Sequence, residues 1–158
     1  MKKSDKFYLI LWGVLSALTL IVIYGQSTLS KAESSNVSGF VTTFLKPILD
    51  PANLWSDSDF HHFVRKMGHF TEYACFGFFF GNFSRLLGKI KSTSYISMPL
   101  LVALGVAVSD EYLQYFTGRG SMVTDVVLDF SGALFGFFVI FVIDFLLKRR
   151  KTHEVGLS

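Results

Sequence analysis

The chain has 158 residues, half of them hydrophobic (51%) and 16% aromatic, with 18 Phe and a mean hydropathy of +0.45. A soluble domain of this length has too little interior to hide that surface, so composition excludes an ordinary soluble enzyme and predicts an all-α, polytopic integral membrane protein. The formal net charge of +3 lies in clusters that suit membrane topology rather than nucleic-acid binding.

Residues 1–6 are short and basic, with Lys2, Lys3 and Lys6. Residues 7–24 then run apolar without a charge, long enough for a first span. Ser30-Lys31-Ala32 has the small-residue spacing of a signal cleavage site. The apolar run is longer than a signal core and ends several residues earlier, which favours an uncleaved anchor. Residues 25–60 form the one long connection. It opens polar, and then Phe40, Val41, Phe44, Leu45, Ile48 and Leu49 recur at helical spacing. That pattern predicts a short amphipathic helix on the membrane surface, broken near Pro47, or a lid over polar groups. Asn36-Val37-Ser38 matches a glycosylation sequon and carries no weight without a secretory eukaryotic setting.

Ser56-Asp57-Ser58-Asp59 is a helix start. The helix is expected to run to Leu87, entering the membrane near Met67, so that the second span covers residues 67–87. Lys66, His69 and Tyr73 share one stripe at i, i+3, i+7, and Glu72 borders it. Cys75 lies in this span as the only cysteine, which excludes an internal disulfide or a cysteine metal cluster and reads as a small apolar packing residue. After the basic residues Arg85, Lys89 and Lys91, a third span is expected over residues 95–116. The turn Thr117-Gly118-Arg119-Gly120 follows, then a fourth span over residues 123–147. The basic run Lys148-Arg149-Arg150-Lys151 and a mobile tail to Ser158 complete one domain over residues 1–158.

With four spans, the basic clusters all fall on one side, which the positive-inside rule assigns to the cytoplasm. Both termini are then cytoplasmic in a bacterial-type plasma membrane, and the loop 25–60 and the Thr117–Gly120 turn are extracytoplasmic. Lys66, His69 and Glu72 open span two at the outer face. Asp110, Glu111 and Gln114 close span three there, and Asp125 and Asp129 open span four. Ionisable groups at membrane depth are expensive and by default mark function. Gly132 and Gly136 continue the face of Asp125 and Asp129, an edge where another helix approaches closely.

Carboxylates outnumber cations in this cluster, so some must stay protonated, share a proton or bind a cation. Three readings are open. The first is structural glue through ion pairs such as Arg119 to Asp125 or Lys66 to Glu111. The second is a site for an anionic, lipid-linked or cell-wall headgroup. There Lys66, Arg119, Gln114, Glu72 and Asp129 would bind, and Glu111, Asp125 and His69 would be candidates for acid–base work. The third is a proton-coupled transport path. Against it, the inner halves of the spans offer few polar groups apart from Asp144, which reads as a partner of the basic C-terminal cluster. No phosphate loop, serine elbow, HExxH or CxxC is present. No cofactor or metal is assigned, although Glu111, Asp125 and Asp129 offer oxygen ligands.

The segments Phe63-Val64-Arg65-Lys66-Met67-Gly68-His69-Phe70-Thr71-Glu72-Tyr73 and Asp110-Glu111-Tyr112-Leu113-Gln114-Tyr115-Phe116-Thr117-Gly118-Arg119, with Asp125, Asp129 and Gly132 beyond, resemble the motif blocks of the VanZ-like family. Leu113 stands where many relatives carry His, which removes a candidate ligand, and Thr117 where Pro often precedes Gly-Arg. The resemblance implies a membrane protein of about four spans with a cell-envelope role, in a family named for low-level resistance to teicoplanin-type glycopeptides. The leading expectation is a cell-envelope protein that binds or modifies a surface lipid or wall-precursor headgroup at an outward-facing site, altering glycopeptide susceptibility. The alternative is a non-enzymatic scaffold whose charges hold helices or a protein partner together.

Overall fold

The computed structural model describes residues 3–91 and 97–155, with the side chains of Lys148 and of residues 150–155 left aside. The expected start of the third span at Tyr95, the end of the tail and most of the basic C-terminal side chains lie outside the described residues. Within them the chain is all-α: α1 Lys3–Ser27, α2 Lys31–Leu49, α3 Asp57–Lys91, α4 Ser97–Phe116 and α5 Val123–Val155.

Four of these contain the predicted spans. Two, α1 and the Val123–Leu147 part of α5, are long and apolar enough to cross a membrane. The other two, α3 and α4, carry ionisable residues within the predicted spans, as the start of α5 also does, and apolarity alone does not mark them.

The fifth helix, α2, is longer than the short amphipathic segment expected. The Ser30 side chain accepts from the Glu33 backbone N–H, and the Glu33 carboxylate accepts from the Ser30 N–H. This capping box satisfies donors at the helix start and draws the polar residues from Lys31 onward into the helix. Ser30-Lys31-Ala32 is therefore a helix start in the folded chain. Pro47 sits in the last turn, and the helix closes with the Asp50 N–H on the Lys46 carbonyl, 2.8 Å away. At the head of α3, Ser56 plays the expected capping part, its hydroxyl accepting from the Asp59 N–H at 3.2 Å.

The centre of the molecule is α3, whose most extensive contacts are with α5 and α1 and which also touches α2 and α4. Small residues make the α3–α5 contact possible. A Cβ on Gly136 would lie 2.2 Å from the Ala74 carbonyl oxygen, and one on Gly132 would lie 2.5 Å from that of Phe70. Gly77 on α3 answers them, pressed against the Ala133 backbone of α5. Ile23, Tyr73, Phe76, Ala103, Val106, Ala107 and Ala133 form the buried core beside this contact.

Phe7, Ile21, Leu101, Phe138 and Phe141 point outward, as they would toward lipid. Cys75 does so too. It is not the interior packing residue expected, because it sits two positions from Tyr73 and one from Phe76 and so faces away from the core. It borders an apolar groove lined by Leu18 and Val22 of α1, Val41 and Leu45 of α2 and Met67 of α3. Asp144 pairs with Arg85 on α3, so its partner comes from the neighbouring helix.

Candidate functional site

The site is assembled where α1 and α4 end and α3 and α5 begin. Two residues carry the chain out of α4: Gly118, with φ of 72°, and Arg119. The Gly118 N–H meets the Tyr115 carbonyl at 3.3 Å and the Arg119 N–H meets that of Gln114 at 3.1 Å. This is a Schellman ending, which needs a residue at ease with positive φ and delivers the next side chain back over the helix end. Arg119 is consequently buried, 2% exposed. Its Nη1 donates to the Gln26 carbonyl at 2.7 Å, tying the turn to the end of α1. Thr117 adds a second tie, its hydroxyl lying 3.2 Å from the Ser27 carbonyl. Burial, and then the neighbouring Arg65, draw the Arg119 guanidinium below its ordinary pKa, while Asp110, Glu111 and Glu72 oppose that shift.

The polar groups fall into two layers. The outer layer surrounds a small cavity of about 160 Å³ lined by Lys31, His62, Arg65, Lys66, His69, Arg119 and Asp125. Asp125 is the one carboxylate among those lining residues, and Lys66 lies 3.3 Å from it in a partly exposed ion pair. Its remaining basic groups make the cavity cationic. The Nε of Arg119 is buried without a hydrogen-bond partner.

The inner layer is closed and acidic. Asp110, Gln114 and Asp129 are 0%, 1% and 1% exposed. Asp110 accepts from the Ser27 hydroxyl and from Gln114 Nε2, the latter at 3.0 Å. Glu111, 3% exposed, accepts the Met122 N–H at 3.2 Å and so braces the entry to α5. Glu72 faces α1, where Gln26 Nε2 donates to it. Neither of the ion pairs considered from sequence forms: Lys66 meets Asp125, Glu111 holds backbone, and Arg119 holds the Gln26 carbonyl.

Of the residues singled out in the sequence, His69, Lys66, Arg119 and Asp125 come together around the cavity. Glu111, Gln114, Asp129 and Glu72 do not line it. Sequence reasoning missed Lys31, His62 and Arg65, and also Gln26 and Ser27, so that α1 joins the polar end as a further helix. Gln26 and Ser27 follow the apolar run directly at the same end of the bundle, and Arg65 lies one turn before His69; both were visible signals. The lid reading of α2 gains little, since only its first residue, Lys31, reaches the cavity.

Two apolar helices and a charged cluster gathered at one end of the bundle define a helical protein suited to a membrane. The VanZ/LLP1 family profile matches residues 6–144, and the chain belongs to that family. No curated protein and no solved structure matches it.

Proposed function

We propose that this protein crosses the membrane four times and binds a phosphate-bearing headgroup, of a lipid or a lipid-linked wall precursor, at the extracytoplasmic surface. The observation that carries the reading is the cavity where Lys31, Arg65, Lys66 and Arg119 gather, with His62 and His69 beside them, against a single carboxylate. Cations converging on a partly enclosed space favour an anion, and guanidinium groups suit the paired oxygens of phosphate. A volume of about 160 Å³ suits a headgroup rather than a whole lipid, leaving acyl or prenyl chains in the bilayer. His69 and Asp125 border the same space and are the groups placed for proton transfer, should the bound headgroup be modified. Occupying such headgroups would alter how glycopeptides of the teicoplanin type reach their targets.

A direct test is binding to the purified chain in neutral-lipid nanodiscs, read with a fluorescent polyprenyl diphosphate and with phosphatidylglycerol as a competing anion. Charge-assisted hydrogen bonds contribute about 1.5–3 kcal/mol each, so Arg65→Ala with Lys66→Ala should weaken binding at least ~10-fold. Wild-type affinity in that double variant would contradict the reading. The rival reading, charges as glue, draws on the Arg119–Gln26 and Glu111–Met122 links. It expects those residues, not Arg65, to govern how much folded protein accumulates.

A further inference from the structure

His69 of α3, Asp110 of α4 and Asp129 of α5 each offer one ligand-type atom, and these atoms all lie within 4.8 Å of one another. Asp129 is 1% exposed, and neither of its carboxylate oxygens has a hydrogen-bond partner. Nδ1 of His69 is buried and unpartnered as well. Buried carboxylate oxygens are nearly always satisfied, because leaving them bare forfeits hydration without compensation. Here two bare oxygens and an imidazole converge from separate helices. We propose that His69, Asp110 and Asp129 form a binding site for a divalent first-row transition ion of the zinc or manganese kind.

The donor set selects that class. One imidazole nitrogen with two carboxylate oxygens suits Zn²⁺ or Mn²⁺, whereas Mg²⁺ prefers all-oxygen surroundings and Cu⁺ prefers sulfur. At metal–ligand bonds of about 2.0–2.2 Å, ligands on one ion lie about 3–3.5 Å apart, so the group needs only a small inward turn of its side chains. The two carboxylates would balance the ion's charge. Asp110 keeps the outer support such ligands need, through Ser27 and Gln114. The helices meet at fixed distance because Gly132, one turn beyond Asp129, lies against the Phe70 carbonyl next to His69. His69 also lines the cavity above, so an ion here would stand beside whatever anion the cavity holds and act on it as a Lewis acid. The site does not rest on the headgroup reading, since its donors are intrinsic to the bundle.

The test uses the full chain in detergent, exposed to Zn²⁺ or Mn²⁺, desalted and analysed for metal content. Wild type should retain about one ion per chain and gain thermal stability with added ion, as a ligand bound only by the folded state requires. Asp129→Asn should lose both effects. Should that variant not fold, His69→Gln with Co²⁺ provides the second reading, because losing the nitrogen ligand should shift or abolish the visible bands. Metal-free wild type with no thermal response to Zn²⁺, Mn²⁺ or Co²⁺ would overturn the proposal. So would full metal retention in both variants, or a wild type that binds nothing while Asp129→Asn becomes more stable, the mark of a buried neutral acid.

Discussion

Arg119 shows how a single backbone conformation decides where a charge goes. The Gly before it adopts φ of 72°, and the next residue folds back under the α4 end to reach Gln26. Placing a Cβ at Gly118 costs about 1–2 kcal/mol in the left-handed region. Gly118→Ala should therefore lower the thermal midpoint in detergent, Gly118→Asn should lower it less, and both should loosen Arg119. A Gly118→Ala midpoint equal to wild type would show that the turn does not need that conformation. The Gly-Arg signal was legible because glycine after a helix has a backbone reason to be there. The partner was not legible, since a main-chain carbonyl far back in the chain leaves no mark in side-chain identity. The same holds for Glu111, whose partner is the Met122 N–H rather than a lysine.

At the scale of elements, the helix-to-helix contact of α3 with α5 rests on glycines whose missing side chains admit backbone. Gly136→Val would push carbon into the Ala74 carbonyl and the Phe78 nitrogen, atoms that cannot swing aside. The expected loss is at least about 1–3 kcal/mol, read as poor recovery of monodisperse protein on size-exclusion chromatography. Gly105→Ala in α4 is the matching control, since nothing lies within 4 Å of its added Cβ. It should be neutral or stabilising by about 0.5–1 kcal/mol. Good recovery of Gly136→Val would mean that the helices do not pack this closely. The glycine edge on α5 was readable from its spacing on the Asp125–Asp129 face. The start of α2 was equally written in Ser30 and Glu33, but the small residues there also fit a cleavage site, and that competing pattern hid the cap. The division of the charged cluster into a cationic cavity and a closed acidic layer was not readable. It depends on how far each helix is rotated about its own axis, which tertiary packing decides.

For the whole molecule, the charged ends of the helices must share one side of the membrane for the cavity to meet a surface headgroup. On the proposed arrangement, the positive-inside rule assigns the opposite ends, with basic residues near Lys3, Lys89 and Arg149, to the cytoplasm. The proposed four spans agree with that assignment and with a bundle in which α3 and α4 carry acids near one end. Those acids are sheltered by α1 and α5, whose outer faces are apolar. The most direct measurement is labelling of single cysteines by a membrane-impermeant maleimide in intact cells. It is made on a Cys75→Ala background because Cys75 itself is exposed. Ser35→Cys and Ser121→Cys, flanking the cavity end, should label without permeabilisation, and Lys89→Cys should label only after it. Labelling of Lys89→Cys in intact cells, with Ser121→Cys protected, would place the cationic cavity in the cytoplasm and contradict the account.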